Sequence, residues 1–387
     1  MIPDLQLRSK ELGATSFTLG LALGIFSLAQ LLTAPYLGRI SDIHGRRRVL
    51  MITTVLSCIA YVVYAHATSI WFIVGSRILA GVAAANLGVA FAYVADVTKP
   101  EERAKGMGTV GAAFGLGFVL GPGLGAFLLA LGRNKPLLLG YVAAALCFLN
   151  FLYVLLLLPE SSEHRADAGQ KMLALTVKAV KIPGLSILLI MFFAVNFGFT
   201  NLESTYFQLL ADPKWIFHLK TGNAPFAENA RDIGAVALTV VGLVSVIMQG
   251  FLVRVLTPKY GEVKLLRFAY VLLVPVLASV PFAPLWVPLF SCSILLAFCM
   301  GLAQPSISSL ISRASPREMQ GSIFGVTQSL GAIARFIGPL ISNPLLEVRP
   351  YLPYLLGASI CILPAIMAFR LRQPKGEGSE TAPAAHG

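Results

Sequence analysis

Residues 17–56 read FTLGLALGIFSLAQLLTAPYLGRISDIHGRRRVLMITTVL. Two apolar runs flank a short turn crowded with basic residues. About 20 predominantly apolar residues, wound as a helix, cross the roughly 30 Å hydrocarbon core of a bilayer. Working outward, further runs of this kind fall near 49–66, 70–95, 107–131, 137–158, 185–210, 234–256, 265–282, 286–311, 320–341 and 351–370; with 17–38 they make eleven. The runs at 49–66 and 265–282 are short enough that a re-entrant or interfacial segment is the competing reading for each.

Composition agrees. Of 387 residues, 56% are hydrophobic and 12% charged, about half the charged share of a soluble domain, and mean hydropathy is +0.77. A soluble chain this long needs more polar surface to cover its core. The expected fold is therefore an all-α integral membrane protein. Cys58, Cys147, Cys292, Cys299 and Cys361 all lie in apolar runs without CxxC or Cys/His spacing, so neither a disulfide framework nor a metal site is expected.

The formal charge of +12 would suggest nucleic acid or acidic partners in a soluble protein. Here it reports topology. Twenty Lys and Arg, including Arg39, Arg46, Arg47, Arg48, Lys105, Arg254, Arg267, Arg313 and Arg370, fall in one set of alternate loops, and eight, including Arg8, Lys10, Lys214 and Arg349, fall in the other. Basic residues gather on the cytoplasmic side, which places the first set inside and the N-terminus outside. No nucleic acid is expected as a partner.

Residues 1–158 form a first half with five spans, 159–184 a polar and then amphipathic cytoplasmic linker, 185–372 a second half with six spans, and 373–387 a tail of disordered composition. The halves superpose as sequence. Gly45 pairs with Gly261 and Pro100 with Pro316 at an offset of 216, and Gly121-Pro122 pairs with Gly338-Pro339 at 217. A parallel repeat around a linker is the arrangement of two halves that rock about a site near the bilayer midplane. Five spans against six leads one to expect an apolar segment of about 20 residues upstream of Met1.

The turn carries the sharpest motif. Gly38, Asp42, Gly45 and Arg46-Arg47 stand at fixed spacing, with the carboxylate of Asp42 among arginines. This resembles the signature between the second and third spans of the major facilitator superfamily. Arg77 with Gly81 resembles that family's fourth-span motif, and Asp96 the acidic partner of the turn. Gly117, Gly121, Pro122 and Gly125 resemble the fifth-span antiporter motif, with Ala126 where the family has a further glycine. The likeness covers the whole chain except the family's first span. It is closest to the tetracycline- and multidrug-exporting proton antiporters. It implies a conformational latch of Gly38, Asp42, Gly45, Arg46 and Asp96, and export of a small molecule against protons.

The same residues have plainer readings. The turn is also a topogenic basic loop, and glycines spaced by four on one helix face also serve tight packing. Gly106-Met-Gly108-Thr-Val-Gly111 matches GxGxxG, but no strand precedes it, so no dinucleotide site is read there. Ionisable residues inside spans are costly and default to functional candidates: Arg77, Glu203 and Arg335. For Arg77 the alternative is snorkelling outward, for Glu203 a place among the headgroups, for Arg335 a packing role. Gln30, Asn86, Asn201, Gln249, Gln304 and Gln328 are candidates to line a polar path, and each alone reads equally as an interhelical hydrogen bonder.

The reading is a proton-coupled secondary transporter of amphipathic small molecules, a monomer in the cell membrane with no cofactor. An uptake symporter of the same fold is the competitor, a non-transporting homologue a lesser one. No HExxH, paired intramembrane aspartates or Ser/His arrangement favours an intramembrane enzyme. The loop asymmetry makes a direct prediction: in a cysteine-free background, cysteines placed at Ser41 and Thr221 react from opposite sides with an impermeant thiol reagent, and equal labelling from outside refutes the orientation.

Overall fold

The structure, a computed structural model, describes residues 2–98, 136–161, 184–212, 214–215, 252–315 and 320–371, with scattered positions in 113–131 and 236–248. The expected spans at 107–131 and 234–256, the linker over 162–183 and the tail from 372 lie largely outside these residues. The elements are α1 (Ile2–Glu11), α2 (Ser16–His44), α3 (Arg46–Ala65), α4 (Ile70–Ala84), α5 (Leu87–Val97), α6 (Pro136–Leu157), α7 (Leu185–Ala211), α8 (Val253–Tyr260), α9 (Glu262–Ser279), α10 (Trp286–Ala314), α11 (Gln320–Val348) and α12 (Leu352–Arg370).

Among the described residues, eight helices are long and apolar enough to cross a membrane: α2, α3, α4 running into α5, α6, α7, α9 with the 3₁₀ turn after it, α10 and α12. The longer, more polar α11 matches the expected span at 320–341. Large apolar side chains such as Trp71, Leu156 and Val287 stay on the outside, where in a bilayer they meet lipid rather than water.

Two boundaries differ from expectation. The turn read as a loop over 38–48 is helical almost throughout: α2 runs to His44, α3 begins at Arg46, and Gly45 alone reverses the chain at φ 97°. A side chain is strained at that φ, which is why the residue is glycine. Gly261, its partner in the repeat, does the same between α8 and α9 at φ 78°. Ser41 is fully buried with its Oγ on the Gly38 carbonyl, so exposed Arg39 is the better labelling position at that end. The run at 70–95 is broken at Ala85–Asn86, where the Asn86 amide donates to Thr53 Oγ1 at 2.8 Å.

Packing within the first half joins α3 with α6 and α4 with α2 and α3; within the second, α7 packs on α11 and α12, and α9 on α10 and α12. The largest core cluster lies in the second half, and includes Phe207, Tyr270, Leu273, Leu302 and Tyr354. The halves meet along α2 and α11, and α1 reaches across to α7. Small residues set these distances, as expected where no hydrophobic effect drives helices together. A Cβ added to Gly20 would stand 2.4 Å from the Pro339 carbonyl oxygen, and one on Gly24 2.6 Å from that of Phe336.

Gly81 in α4 is as tightly held, 2.3 Å from the Phe26 carbonyl oxygen by the same construction, whereas Gly75 on the same helix has nothing within 4 Å. Gly81→Ala is therefore expected to cost about 1–3 kcal/mol as overpacking, and Gly75→Ala to be neutral or stabilising by its helix propensity. Thermal unfolding of the two purified variants in one detergent checks the contrast; equal Tm values contradict it.

Candidate functional site

Three polar groupings stand out, at the Gly45 end, in mid-span and at the Ser16 end. At the Gly45 end, Arg46 is the first residue of α3. Its guanidinium pairs with Asp42 one turn back on α2 at 3.2 Å and with Asp96 at the end of α5. The Nε–H of Arg46 donates directly to Asp96. Glu160, just beyond α6, accepts from the backbone N–H groups of Arg46 and Arg47, supplying the anion that a helix N-terminus favours. Arg47 turns the other way and donates to the carbonyls of Val154 and Leu155 at the end of α6. The motif residues thus sew together the ends of α2, α3, α5 and α6. Gly38 sits on α2 with open space around it.

In mid-span, Glu203 on α7 and Arg335 on α11 lie within electrostatic reach of each other. Among the described residues, Glu203 is the only carboxylate well inside an apolar span. Around it α7 and α11 are joined by buried polar side chains: Ser204 and Ser342 share a hydrogen bond of 2.7 Å, Gln208 donates to Asn343, and Asn343 to the Pro339 carbonyl. Ser342 and Asn343 carry no motif, and sequence reading missed them; their spacing of 138 and 135 residues from their partners leaves no local signal.

The cavity candidates divide. Gln30 donates to the Ala84 carbonyl, Asn86 to Thr53, and Gln304 to Asn196 at 3.3 Å. Buried Asn201 donates to Phe197 while its Oδ1 has no partner, and Gln328 is exposed on α11. Gln249 and Pro122 lie outside the described residues. Arg77 does not snorkel: its Nε is buried without a partner and its guanidinium sits 4.5 Å over the Phe26 ring. The stripe expected to let backbones touch is not in contact at two of its three glycines. A Cβ at Gly117 or Gly121 meets nothing within 4 Å, although Gly125 is buried.

The Ser16 end holds what the sequence hid. Residues 2–11, polar in sequence, form α1 and plug that end. Asp4, Gln6 and Ser9 are essentially fully buried. The Tyr64 hydroxyl donates to Asp4 at 2.6 Å, Arg8 donates to the Tyr64 and Ala67 carbonyls that close α3, and Gln6 donates to the Glu203 carbonyl in the other half. Ser16 donates to Glu347 of α11, and Lys10 lies in the field of Glu347 and Asp212. The halves are closed together here. Towards Gly45, by contrast, α2 leaves Leu32 and Tyr36 59% and 70% exposed.

Helices of membrane length that turn polar side chains towards one another, and whose two halves among the described residues touch closely at the Ser16 end, are the architecture of a multi-pass membrane transporter. The Major Facilitator Superfamily model matches residues 2–339, and the chain belongs to that superfamily. Multidrug resistance protein 2 of Bacillus subtilis (strain 168) is 27% identical over 369 residues, covering 94% of this chain and 88% of that protein. Tetracycline resistance protein, class B, of Escherichia coli is 28% identical over 371 residues, covering 93% and 88%. The crystal structure of the nucleoside transporter NupG superposes with a TM-score of 0.73 over 95% of this chain and 94% of that one, at 14% identity, a likeness of fold. The protein is a multi-pass transporter of the cell membrane.

Because Arg46 holds Asp42 and Asp96 at once, removing either charge loosens the junction without emptying a core position. Asp42→Asn is expected to lower turnover in proteoliposomes by at least about tenfold, with expression and monodispersity kept, while Glu377→Gln in the tail changes nothing. Normal transport by Asp42→Asn reduces the turn to a topological signal.

Proposed function

We propose that the protein is a proton-coupled exporter of amphipathic small molecules working by alternating access, and that Glu203 is where the proton is exchanged. The observation that carries the reading is Glu203, the only carboxylate well inside an apolar span among the described residues, on α7 packed against the α11 that carries Arg335. A charge in a hydrocarbon layer is costly unless it is paired or neutralised, so a carboxylate there has two tolerable states, paired with the guanidinium or protonated. Moving between them changes how strongly α7 and α11 attract each other. Gln6 of α1 is bonded to the Glu203 carbonyl, so the backbone at that residue is also part of the closed Ser16 end. A protonation event at Glu203 can thereby bias which end is open, and a ligand or proton shifts such an equilibrium only by its differential affinity for the two states.

By the asymmetry of basic residues the Gly45 end is cytoplasmic, and the conformation described here is closed to the outside. Apolar and aromatic spans with few fixed charges suit an amphipathic ligand. The relatives named for multidrug and tetracycline resistance support export. The fold likeness to a nucleoside transporter supports a second reading, uptake of a polar solute by the same rocking motion.

Reconstitution in proteoliposomes tests both. With an imposed pH gradient, an amphipathic fluorescent dye is expected to move against the proton flux in the wild type. Glu203→Gln is expected to lose at least about tenfold of gradient-driven transport while retaining dye exchange at equal pH, which needs no net proton movement. Gradient-driven transport by Glu203→Gln refutes the assignment, and solute movement with the protons establishes the symport reading.

A further inference from the structure

At the Gly45 end of the molecule, four helix ends of the second half leave a gap between them. α7 starts at Leu185, α9 starts at Glu262, α10 stops at Ala314 and α12 at Arg370. Between them lies a cleft of about 260 Å³ whose lining includes Gly184, Leu188, Val263, Leu310, Arg313 and Leu371. That is room for roughly nine waters at about 30 Å³ each, but the aliphatic walls give water few partners, whereas hydrocarbon there recovers dispersion contacts. Arg267 fixes one wall by donating to the Ala368 and Leu371 carbonyls at 2.9 and 2.6 Å. Arg313 brings a cation to the cleft. Its Nη2 lies 3.4 Å from Glu262 Oε1, the oxygen that also accepts from Ser309 at 2.6 Å. The Glu262 side chain is 10% exposed and that of Arg313 56%. The carboxylate is thus engaged and covered, while a guanidinium has five N–H donors to offer and more than half of this one stays open. Exposed Lys259, Lys264 and Arg370 stand at the same helix ends.

We propose that this cleft is a binding site for an anionic phospholipid of the cytoplasmic leaflet, with the phosphate on Arg313 and an acyl chain along Leu188, Val263, Leu310 and Leu371. A basic pocket between membrane helices on the cytoplasmic side attracts anionic headgroups. The aliphatic walls beside the cation favour a molecule with a tail over a free anion. The surrounding Lys259, Lys264 and Arg370 favour a lipid with net negative charge over a zwitterionic one with the same tail. Every wall of the cleft belongs to the second half, so the lipid travels with that half and joins the ends of α7, α10 and α12 whichever side of the transporter is open. The site is separate from the α7–α11 seam, and it depends neither on the direction of transport nor on proton coupling.

The full chain, purified in a neutral detergent, is titrated with phosphatidylglycerol or with phosphatidylcholine of the same chains, and binding is read by native mass spectrometry and by thermal unfolding. Phosphatidylglycerol is expected to bind at least about tenfold more tightly and to raise Tm where phosphatidylcholine does not. Arg313→Gln is expected to weaken phosphatidylglycerol at least about tenfold, the scale of one hydrogen bond to a charged group. Leu310→Phe keeps the Arg313–Glu262 pair and extends a side chain into the cleft; it is expected to weaken the lipid at least about threefold by occupying the place of the chain. Arg370→Gln removes a charge at the same end without touching the cleft and is expected to change nothing. Inorganic phosphate at the same concentration is expected to leave Tm where it was. Equal affinity for the two lipids overturns the proposal, as does an equal rise in Tm with inorganic phosphate, which makes the site one for a free anion. Unchanged affinity in Arg313→Gln or in Leu310→Phe overturns it too, and so does an equal loss in Arg370→Gln, the mark of a diffuse surface potential. If Arg313→Gln does not fold, Leu310→Phe and the contrast between the lipids decide.

Discussion

A bilayer offers the backbone no water, and the rest of this structure follows from that. Every N–H and C=O inside the hydrocarbon must find its partner within the chain, which selects helices and pushes unsatisfied groups to their ends. The ends are consequently where the charged side chains are put to use. Glu160 caps the first N–H groups of α3, Arg47 takes the last carbonyls of α6, Arg267 those of α12, and Arg8 those of α3. Each is a long-range contact. The same residues that answer the ends of one helix therefore tie it to another, and polar chemistry at the membrane surface becomes the fastening of the bundle.

Inside the layer the fastening is different. With lipid tails as apolar as leucine, contact area alone gives helices little reason to associate. The seams rely on missing side chains and on a few hydrogen bonds. Gly198 faces Gly357 so closely that a Cβ on either would come within about 3 Å of the other's carbonyl oxygen. Gly81 rests on the backbone of α2, and Ser204 meets Ser342 across α7 and α11. Most of these seams lie within a half. Between halves, among the described glycines, the close approaches are at Gly20 and Gly24, both towards the Ser16 end. That distribution lets each half move as a body about one tightly fitted seam, as alternating access requires.

How much was legible depended on whether a residue's role was local. Span length is local, and the nine membrane-length helices of the described residues fall where apolar runs were read. The reversal at Gly45 and its twin at Gly261 were legible because positive φ favours one residue type. The helical extension of α2 to His44 was not, since residues beyond the hydrocarbon need not be apolar and so look like loop. The break at Asn86 was hidden inside an apolar run. The burial of Asp4, Gln6 and Ser9 was not legible, because composition prices a residue before its partners are known; Tyr64 and the α7 backbone at Glu203, which answer Asp4 and Gln6, lie 60 and 197 residues away. Glu203 stood out by cost and Arg77 by cost and motif together, but that Glu203 and Arg335 sit on helices packed on each other came only with the structure.

The inventory of bonds made by α1 decides whose element it is. Towards the first half it offers the Asp4–Tyr64 bond and the Arg8 donations to the carbonyls of Tyr64 and Ala67, and towards α7 the donation from Gln6. In the alternating-access reading proposed above, α1 stays with α3 when the Ser16 end parts, and the break runs along its α7 side. In the export reading proposed above, the substrate's way out is then an asymmetric doorway. One jamb would carry the polar helix α1 with the Gln6 amide released, and the other the α7 backbone that the amide had held.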